Sequence, residues 1–270
     1  MTPRKPPPPK KSLGQNFLIN PRVADRIIEE CQLREDETVL EIGPGKGALT
    51  RVLAPKVQKF IAVEKDDQLA ASLQEEFKGT DTEIVHGDIL EYPFNSLPEG
   101  TKIIGNLPYN IATPIIKAVI NARSRISDLY ATVQLDFGRR LTARPGTKSY
   151  GSFSCFVQYF ADVRLLFRIK NTSFQPVPKV QSCFLHFNFP RKPRCRAINE
   201  DLLFRIIRAS FSQRRKNIRN ALSAIFGKEE IGLLLQKSKI DPESRAENVS
   251  LKEFIALADR VDRDLKGTGR

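Results

Sequence analysis

The sequence predicts an α/β protein, a mostly parallel sheet with helices on both faces, followed by a small all-α domain. Three observations predict it. Short apolar runs alternate with helical patterns from Thr38 to Val133, the order that builds a parallel sheet. Two later apolar runs, Val163–Ile169 and Val180–Phe187, follow one another without a long helix between them, which suggests an antiparallel edge. Beyond Pro190 the apolar spacing is helical throughout, in Leu202, Ile206 and Ala209, then Ile218, Leu222 and Ile225, then Leu233–Leu235, then Phe254 to Val261.

Taken in order, Met1–Lys11 is basic and rich in proline with no apolar core. It reads as a flexible arm and not as a secretory signal. Asn20-Pro21 has the residues of a helix start, Asn as N-cap and Pro at the first helical position. Val23, Ile27 and Ile28 then share a face, with Cys31 nearby. Thr38–Ile42 reads as a buried strand running into a glycine turn, and Ala48–Leu53 as the start of a helix. Phe60–Glu64 is a second strand, Asp66–Phe77 a helix with Leu69, Leu73 and Phe77 on one face, and Thr82–His86 a third strand. Lys102–Gly105 is a fourth strand, Thr113-Pro114 is expected to cap the helix after it, and Tyr130–Val133 is a fifth. The expected division is an arm over 1–11, an α/β domain over 12–190 and a helical domain over 191–270.

The chain of 270 residues carries 44 Lys and Arg against 31 Asp and Glu, a net charge of +13. Residues 191–270 hold 19 of those cations and 11 of the anions, so they supply eight of the thirteen excess charges. Such a surface attracts polyanions, nucleic acid before an anionic membrane. No apolar run approaches the roughly 18 residues of a membrane span. The four cysteines, Cys31, Cys155, Cys183 and Cys195, form no close pair, and the only histidines are His86 and His186. A metal site and a disulfide framework are therefore not expected, and free thiols fit the cytoplasm.

Two loops carry chemistry. Glu41-Ile42-Gly43-Pro44-Gly45-Lys46-Gly47-Ala48 joins the first strand to its helix. Glycine lets the backbone turn tightly and a ligand lie against it. Glu64 ends the second strand 21 residues after Gly43, where a carboxylate accepts ribose hydroxyls. Gly43-x-Gly45-x-x-Ala48 also satisfies the looser dinucleotide fingerprint, so a NAD enzyme is an alternative at this point. The early third glycine and Glu41 lean toward S-adenosylmethionine. Asp88, after the third strand, offers an acceptor for an adenine amine or simply an Asx turn.

Asn106-Leu107-Pro108-Tyr109 ends the fourth strand, at the edge where open sheets bind ligands. The amino nitrogen of a base is a poor nucleophile because its lone pair is delocalised into the ring. The Asn106 side-chain oxygen and a main-chain carbonyl, that of Leu107 with Pro108 fixing the turn, can accept its two N–H bonds and stabilise charge that develops in the transition state. Tyr109 can stack on the base, worth about 1–3 kcal/mol. The bland alternative is an Asn-capped turn with a core tyrosine.

Together with Gln15-Asn16-Phe17-Leu18, Gly87-Asp88, Tyr150-Gly151, Phe174-x-Pro176-x-Pro178-Lys179-Val180 and Ser212-Gln213-Arg214-Arg215-Lys216, these loops resemble the KsgA-type ribosomal RNA adenine dimethyltransferases. The resemblance runs over roughly residues 11–265. It implies a Rossmann-like S-adenosylmethionine-dependent methyltransferase domain with a C-terminal helical domain. It also implies dimethylation of N6 on two adjacent adenines in a hairpin near the 3′ end of small-subunit rRNA, the substrate being that RNA or its precursor particle and the enzyme a monomer. By position, it puts cofactor contacts on Asn16, Leu18, Gly43, Glu64, Asp88 and Asn106. Target-base contacts fall on Asn106, Leu107, Tyr109 and Phe174. Gln134–Arg140 departs from the family's usual Gln-Lys-Glu-Val-type stretch. The remaining alternatives are a large-subunit enzyme of the erythromycin-resistance type and a non-catalytic RNA- or DNA-binding factor on the same fold.

Arg214, Arg215, Lys216 and Arg219 are expected at the start of a helix, with Arg208 one helix earlier. Cations there oppose the helix dipole, which suggests an RNA phosphate as ligand. A solvated charged face is the alternative.

Overall fold

The computed structural model describes residues 10, 14–191, 195–213 and 215–267. The rest of the expected arm, the middle of the basic linker and Arg214 lie outside the described residues. In chain order the elements are β1 (Phe17–Leu18), α1 (Pro21–Cys31), β2 (Thr38–Ile42), α2 (Thr50–Leu53), β3 (Lys59–Glu64), α3 (Asp67–Glu76), β4 (Thr82–His86), β5 (Thr101–Asn106), α4 (Ala112–Asn121), β6 (Ile126–Gln134), α5 (Leu135–Leu141), α6 (Ser152–Phe160), β7 (Asp162–Ile169), β8 (Phe174–Gln175), β9 (Ser182–Asn188), α7 (Glu200–Ser212), α8 (Ile218–Phe226), α9 (Lys228–Lys237) and α10 (Leu251–Gly267).

The described residues form a seven-stranded sheet of order β4-β3-β2-β5-β6-β9-β7 and a small β1-β8 pair. Strands β4, β3, β2, β5 and β6 run parallel to one another, and β9 is antiparallel to both β6 and β7. The antiparallel strand is thus inserted between β6 and β7, and β7 is the edge. This is the Rossmann-like α/β architecture. The chain runs outward from β2 through β3 to β4, then returns to lay β5 on the other side of β2. That reversal opens a crevice at the carboxyl ends of β2 and β5.

Local chemistry explains the elements. Asn20 caps α1 by accepting from Arg22 N, with Pro21 in the first turn, and Ile27 and Cys31 go into the core. Asp66 caps α3 by accepting from Gln68 N and Leu69 N. The helix after the glycine loop is shorter than expected: α2 is one turn, followed by a 3-10 turn over Ala54–Lys56. Pro55 has no N–H to continue the ladder. The start of α4 is also corrected. Its N-cap is Ile111, whose side chain makes no cap, and Thr113-Pro114 lies inside the first turn. Pro114 is tolerated there because the first-turn N–H groups have no helical partner. The central strands are buried on both faces, as parallel strands covered by helices must be. Among their buried residues, Glu41 and Glu64 are carboxylates, each close to the carboxyl end of its strand.

The chain divides into two compact units, residues up to Gly138 with Asp162–Phe189, and Arg139–Ala161 with the residues from Pro190 on. Residues 139–161, expected in the α/β domain, therefore cluster with the C-terminal helices. The reason is the apolar face of α6. Cys155 and Tyr159 share a core with Leu203, Ile206, Leu222, Leu235 and Phe254. Tyr159 Oη also donates to Glu200 and accepts from Ala197 N. Among the described residues no helix is long and apolar enough to cross a membrane.

Candidate active site

The glycine loop leaves β2 and is hooked back to β3 by Gly43 N donating to Val63 O at 3.0 Å. Gly45 has φ +58°, in the left-handed region. A Cβ on it would lie 2.8 Å from Phe17 Cδ1, so the ring of Phe17 packs directly on the loop backbone. Lys46 Nζ sits 4.9 Å from the centroid of the same ring. The segment Gly14–Leu18 is thereby laid over the glycine loop. Gln15 Nε2 donates to Asp66 Oδ2 at 3.1 Å, which fixes it to the end of β3 as well.

Glu64 is 5 % exposed, and both of its oxygens are engaged: Oε2 accepts from Gly45 N and Oε1 from Asp66 N, each at 2.9 Å. Burial pushes its carboxyl above the usual range, and the two amide donors oppose that shift. Glu41 is more deeply enclosed. Burial pushes it up to about 8, against the hydrogen bond donated by Thr50 Oγ1 and with the Glu64 charge adding to the rise. Asp88 shows both features of its position. Its Oδ1 accepts from Leu90 N as in an Asx turn, and its Oδ2 accepts from Lys65 Nζ at 2.6 Å, which holds the carboxyl below its ordinary value.

The loop after β5 is tied at three points. Leu107 N donates to Thr132 O at 3.1 Å, and Ile111 N donates to Pro108 O at 3.1 Å. Asn106 Nδ2 donates to the Asn16 carbonyl at 2.7 Å. That bond orients the amide, and its acceptor atom, Oδ1, is directed away from Asn16 O. Tyr109 is half-buried, and its Oη is 2.6 Å from Ser182 Oγ.

One cavity gathers Asn16, Leu18, Gly43, Glu64, Asp88, Asn106, Leu107, Pro108 and Tyr109. Residues from positions 16 to 109 thus converge on the crevice between β2 and β5. Phe174 is not brought there. It pairs with Leu18 in the β1-β8 ladder, is 1 % exposed and belongs to the core around Ile27, Phe60 and Tyr130. In this structure Phe174 is therefore a core residue and does not line the cavity.

The basic residues lie in the second unit. Arg208 is exposed on α7, and Arg215 and Lys216 are exposed in the turn before Asn217, the N-cap of α8. Arg214 is outside the described residues. Arg215 and Lys216 lie between the end of α7 and the N-cap of α8, and Arg219 is in the first turn of α8, where it pairs with Glu243 at 3.0 Å. Arg219 faces the positive end of the α8 dipole with Glu243 as its counter-charge, and Arg208, Arg215 and Lys216 are exposed.

A family model described as ribosomal RNA adenine dimethylase matches residues 9–263. The chain belongs to the ribosomal RNA adenine dimethylase family. Among its relatives, the ribosomal RNA small subunit methyltransferase A of Geobacter metallireducens is 41% identical, over 92% of this chain and 94% of the relative. The protein of the same name from Moorella thermoacetica is 38% identical, over 93% and 91%. Of solved structures, the 23S rRNA methyltransferase ErmE superposes with TM-score 0.73 at 26% identity, covering 92% of this chain and all of that one. A dimethyladenosine transferase from Plasmodium falciparum shares the fold, with TM-score 0.78 at 23% identity over 93% and 98%. By family, the chain is an S-adenosylmethionine-dependent rRNA adenine dimethyltransferase.

The donor set of the cavity fits that cofactor. Three carboxyl groups, Glu41, Glu64 and Asp88, line it. They suit hydroxyl, amine and cationic groups. A dinucleotide pyrophosphate would instead meet a buried carboxyl and a Gly45 amide already taken by Glu64. A Cβ placed on Gly43 would meet no atom within 4 Å, which leaves that side of the loop open to a ligand. Sequence reasoning did not pick out the Gly45 amide, Lys65, Gln15 or Ser182 as parts of this arrangement. Each acts through a partner distant in sequence or through its main chain, and no local pattern marks such a contact.

Proposed function

We propose that the chain transfers methyl groups from S-adenosylmethionine to N6 of two adjacent adenines in a hairpin near the 3′ end of small-subunit rRNA. The product is N6,N6-dimethyladenosine, made during assembly of the small subunit in the cytoplasm by a monomeric enzyme. The names of the Geobacter and Moorella relatives support the choice of subunit. The observation that carries the chemistry is the Asn106 amide, held by Asn16 O through Nδ2 so that Oδ1 is the acceptor.

Asn106 Oδ1 and the Leu107 carbonyl accept the two N–H bonds of the target amine. The Pro108 carbonyl is already used by Ile111 N, which leaves that of Leu107 for the substrate. Both acceptors strengthen as positive charge develops on nitrogen, so they favour the transition state over the ground state. No strong general base is needed, because the amine proton becomes acidic as the new N–C bond forms. Tyr109 stacks on the base and offsets part of the few kcal/mol that unstacking it costs. Glu64 accepts ribose hydroxyls through lone pairs that Gly45 N and Asp66 N leave free, and Asp88 accepts the cofactor's adenine amine. When bound, S-adenosylmethionine supplies an electrophilic methyl on a sulfonium. The exposed cations Arg208, Arg215 and Lys216, with Arg214, hold RNA phosphates.

The 26% identity to ErmE keeps a large-subunit target as a second reading. Small- and large-subunit particles incubated with labelled cofactor, followed by mass mapping of the RNA, separate the two. Dimethylation of two neighbouring adenines in small-subunit RNA is expected. Label in the large subunit alone would overturn the reading.

A further inference from the structure

Tyr109 lines the cavity, but the side chain that holds its hydroxyl, Ser182, stands behind the lining. Ser182 is the first residue of β9 and fully buried. It stands in register with Gln134 on β6 and with Ile169 on β7. A strand residue paired on both sides has little backbone freedom, so its hydroxyl is an anchor fixed by the sheet. That hydroxyl lies 2.6 Å from Tyr109 Oη.

Tyr109 itself sits in the turn between β5 and α4. A tyrosine fixed only at its Cα can choose among staggered rotamers. With Oη tethered as well, the ring is held at both ends. We propose that Ser182 is a positioning residue for the target base: by anchoring Tyr109 Oη to the sheet, it fixes the ring in the orientation on which adenine stacks. This rests on the stacking role proposed for Tyr109. The ring is then ordered before RNA arrives. Ordering a free side chain at the moment of binding typically weakens affinity by a factor of about 2 to 10. Ser182 is already secured by its two ladders, so loss of its hydroxyl leaves the strand paired and releases the tyrosine.

The test compares Ser182→Ala, Tyr109→Phe, their combination and Tyr109→Ala in methylation of small-subunit particles, with cofactor affinity and melting temperature measured alongside. Ser182→Ala and Tyr109→Phe are each expected to raise KM for the particle by about 2- to 10-fold, because stacking serves ground and transition states alike. Ser182→Ala should keep kcat and cofactor Kd within about twofold, by the same reasoning. The double variant should be no worse than either single, since both remove one bond. Tyr109→Ala should lose more, because the ring itself is gone. Unchanged KM in both single variants, or a double variant whose loss is the product of the two, overturns the proposal. A fall in kcat at constant KM overturns it as well. Should Ser182→Ala fail to fold, Tyr109→Phe breaks the same bond from the other end and its KM decides. If Tyr109→Ala turns over normally, the stacking role falls and this inference with it. If Tyr109→Ala is impaired while the other two are not, only this inference falls.

Discussion

Replacing Asn106 with Ala separates catalysis from binding, and the structure sets the two magnitudes. The side chain makes one hydrogen bond, Nδ2 to Asn16 O at 2.7 Å, in a half-buried place. Losing it costs about 0.5–1.5 kcal/mol. That cost reaches the cofactor only through looser docking of Gly14–Leu18, so cofactor Kd is expected to rise by about tenfold at most. The loss of Oδ1 weakens the transition state more than the ground state. Removing a preorganised acceptor of that kind costs roughly 2.7–4 kcal/mol, or 10² to 10³ in kcat. Single-turnover methylation at saturating cofactor and RNA measures the second effect, and equilibrium titration of cofactor measures the first. The kcat loss should exceed the loss of cofactor affinity by tenfold or more. A kcat within tenfold of wild type, or a defect that vanishes at saturating cofactor, would refute the role assigned to Asn106.

Other perturbations test other contacts. Gly43→Ala and Gly45→Ala both place a side chain at positive φ, a strain of about 1–2 kcal/mol, but only at Gly45 does the new Cβ collide with Phe17. Gly45→Ala should therefore be less stable than Gly43→Ala by a further ~1–3 kcal/mol in urea unfolding. Equal stabilities would remove Phe17 from the account. Glu41 titrates near 4.5 when unfolded and about 8 when folded, so the folded state holds its proton through a window in which the unfolded chain has lost it. Its stabilising contribution is complete below pH 4.5 and is lost as the pH rises toward 8. Melting temperature of the ligand-free protein should fall across that window, and Glu41→Gln should flatten the fall; an identical slope in the variant counts against the buried carboxyl. Arg215→Ala and Lys216→Ala should each reduce the slope of log K against log salt for rRNA by roughly 0.7–0.9, one phosphate contact apiece, with cofactor affinity unaltered. An unchanged slope would return these residues to a solvated face.

The parallel sheet, the glycine turn, the caps at Asn20 and Asp66 and the loop at Asn106 were legible in the sequence because each depends on near neighbours. Strand periodicity, an Asx-type cap and a proline-fixed turn are set within a few residues. The spacing from Gly43 to Glu64 was legible too, since one helical connection separates two adjacent parallel strands. The burial of Phe174 was not legible for the opposite reason. Nothing near it says that β8 pairs with β1 and turns the ring into the core. Residues 139–161 were assigned to the wrong unit because the face of α6 finds its partners on helices beyond Pro190. The Asn16–Asn106 bond spans 90 residues and the Tyr109–Ser182 bond spans 73. Each exists because the order of strands brings the ends together. The sequence by itself determined which chemical groups the loops carry. The tertiary structure decided how the Asn106 amide is held, what holds the Tyr109 ring and which carboxyls are driven off their ordinary titration. Those properties depend on burial and on partners distant along the chain, and strand order, not spacing, supplies both.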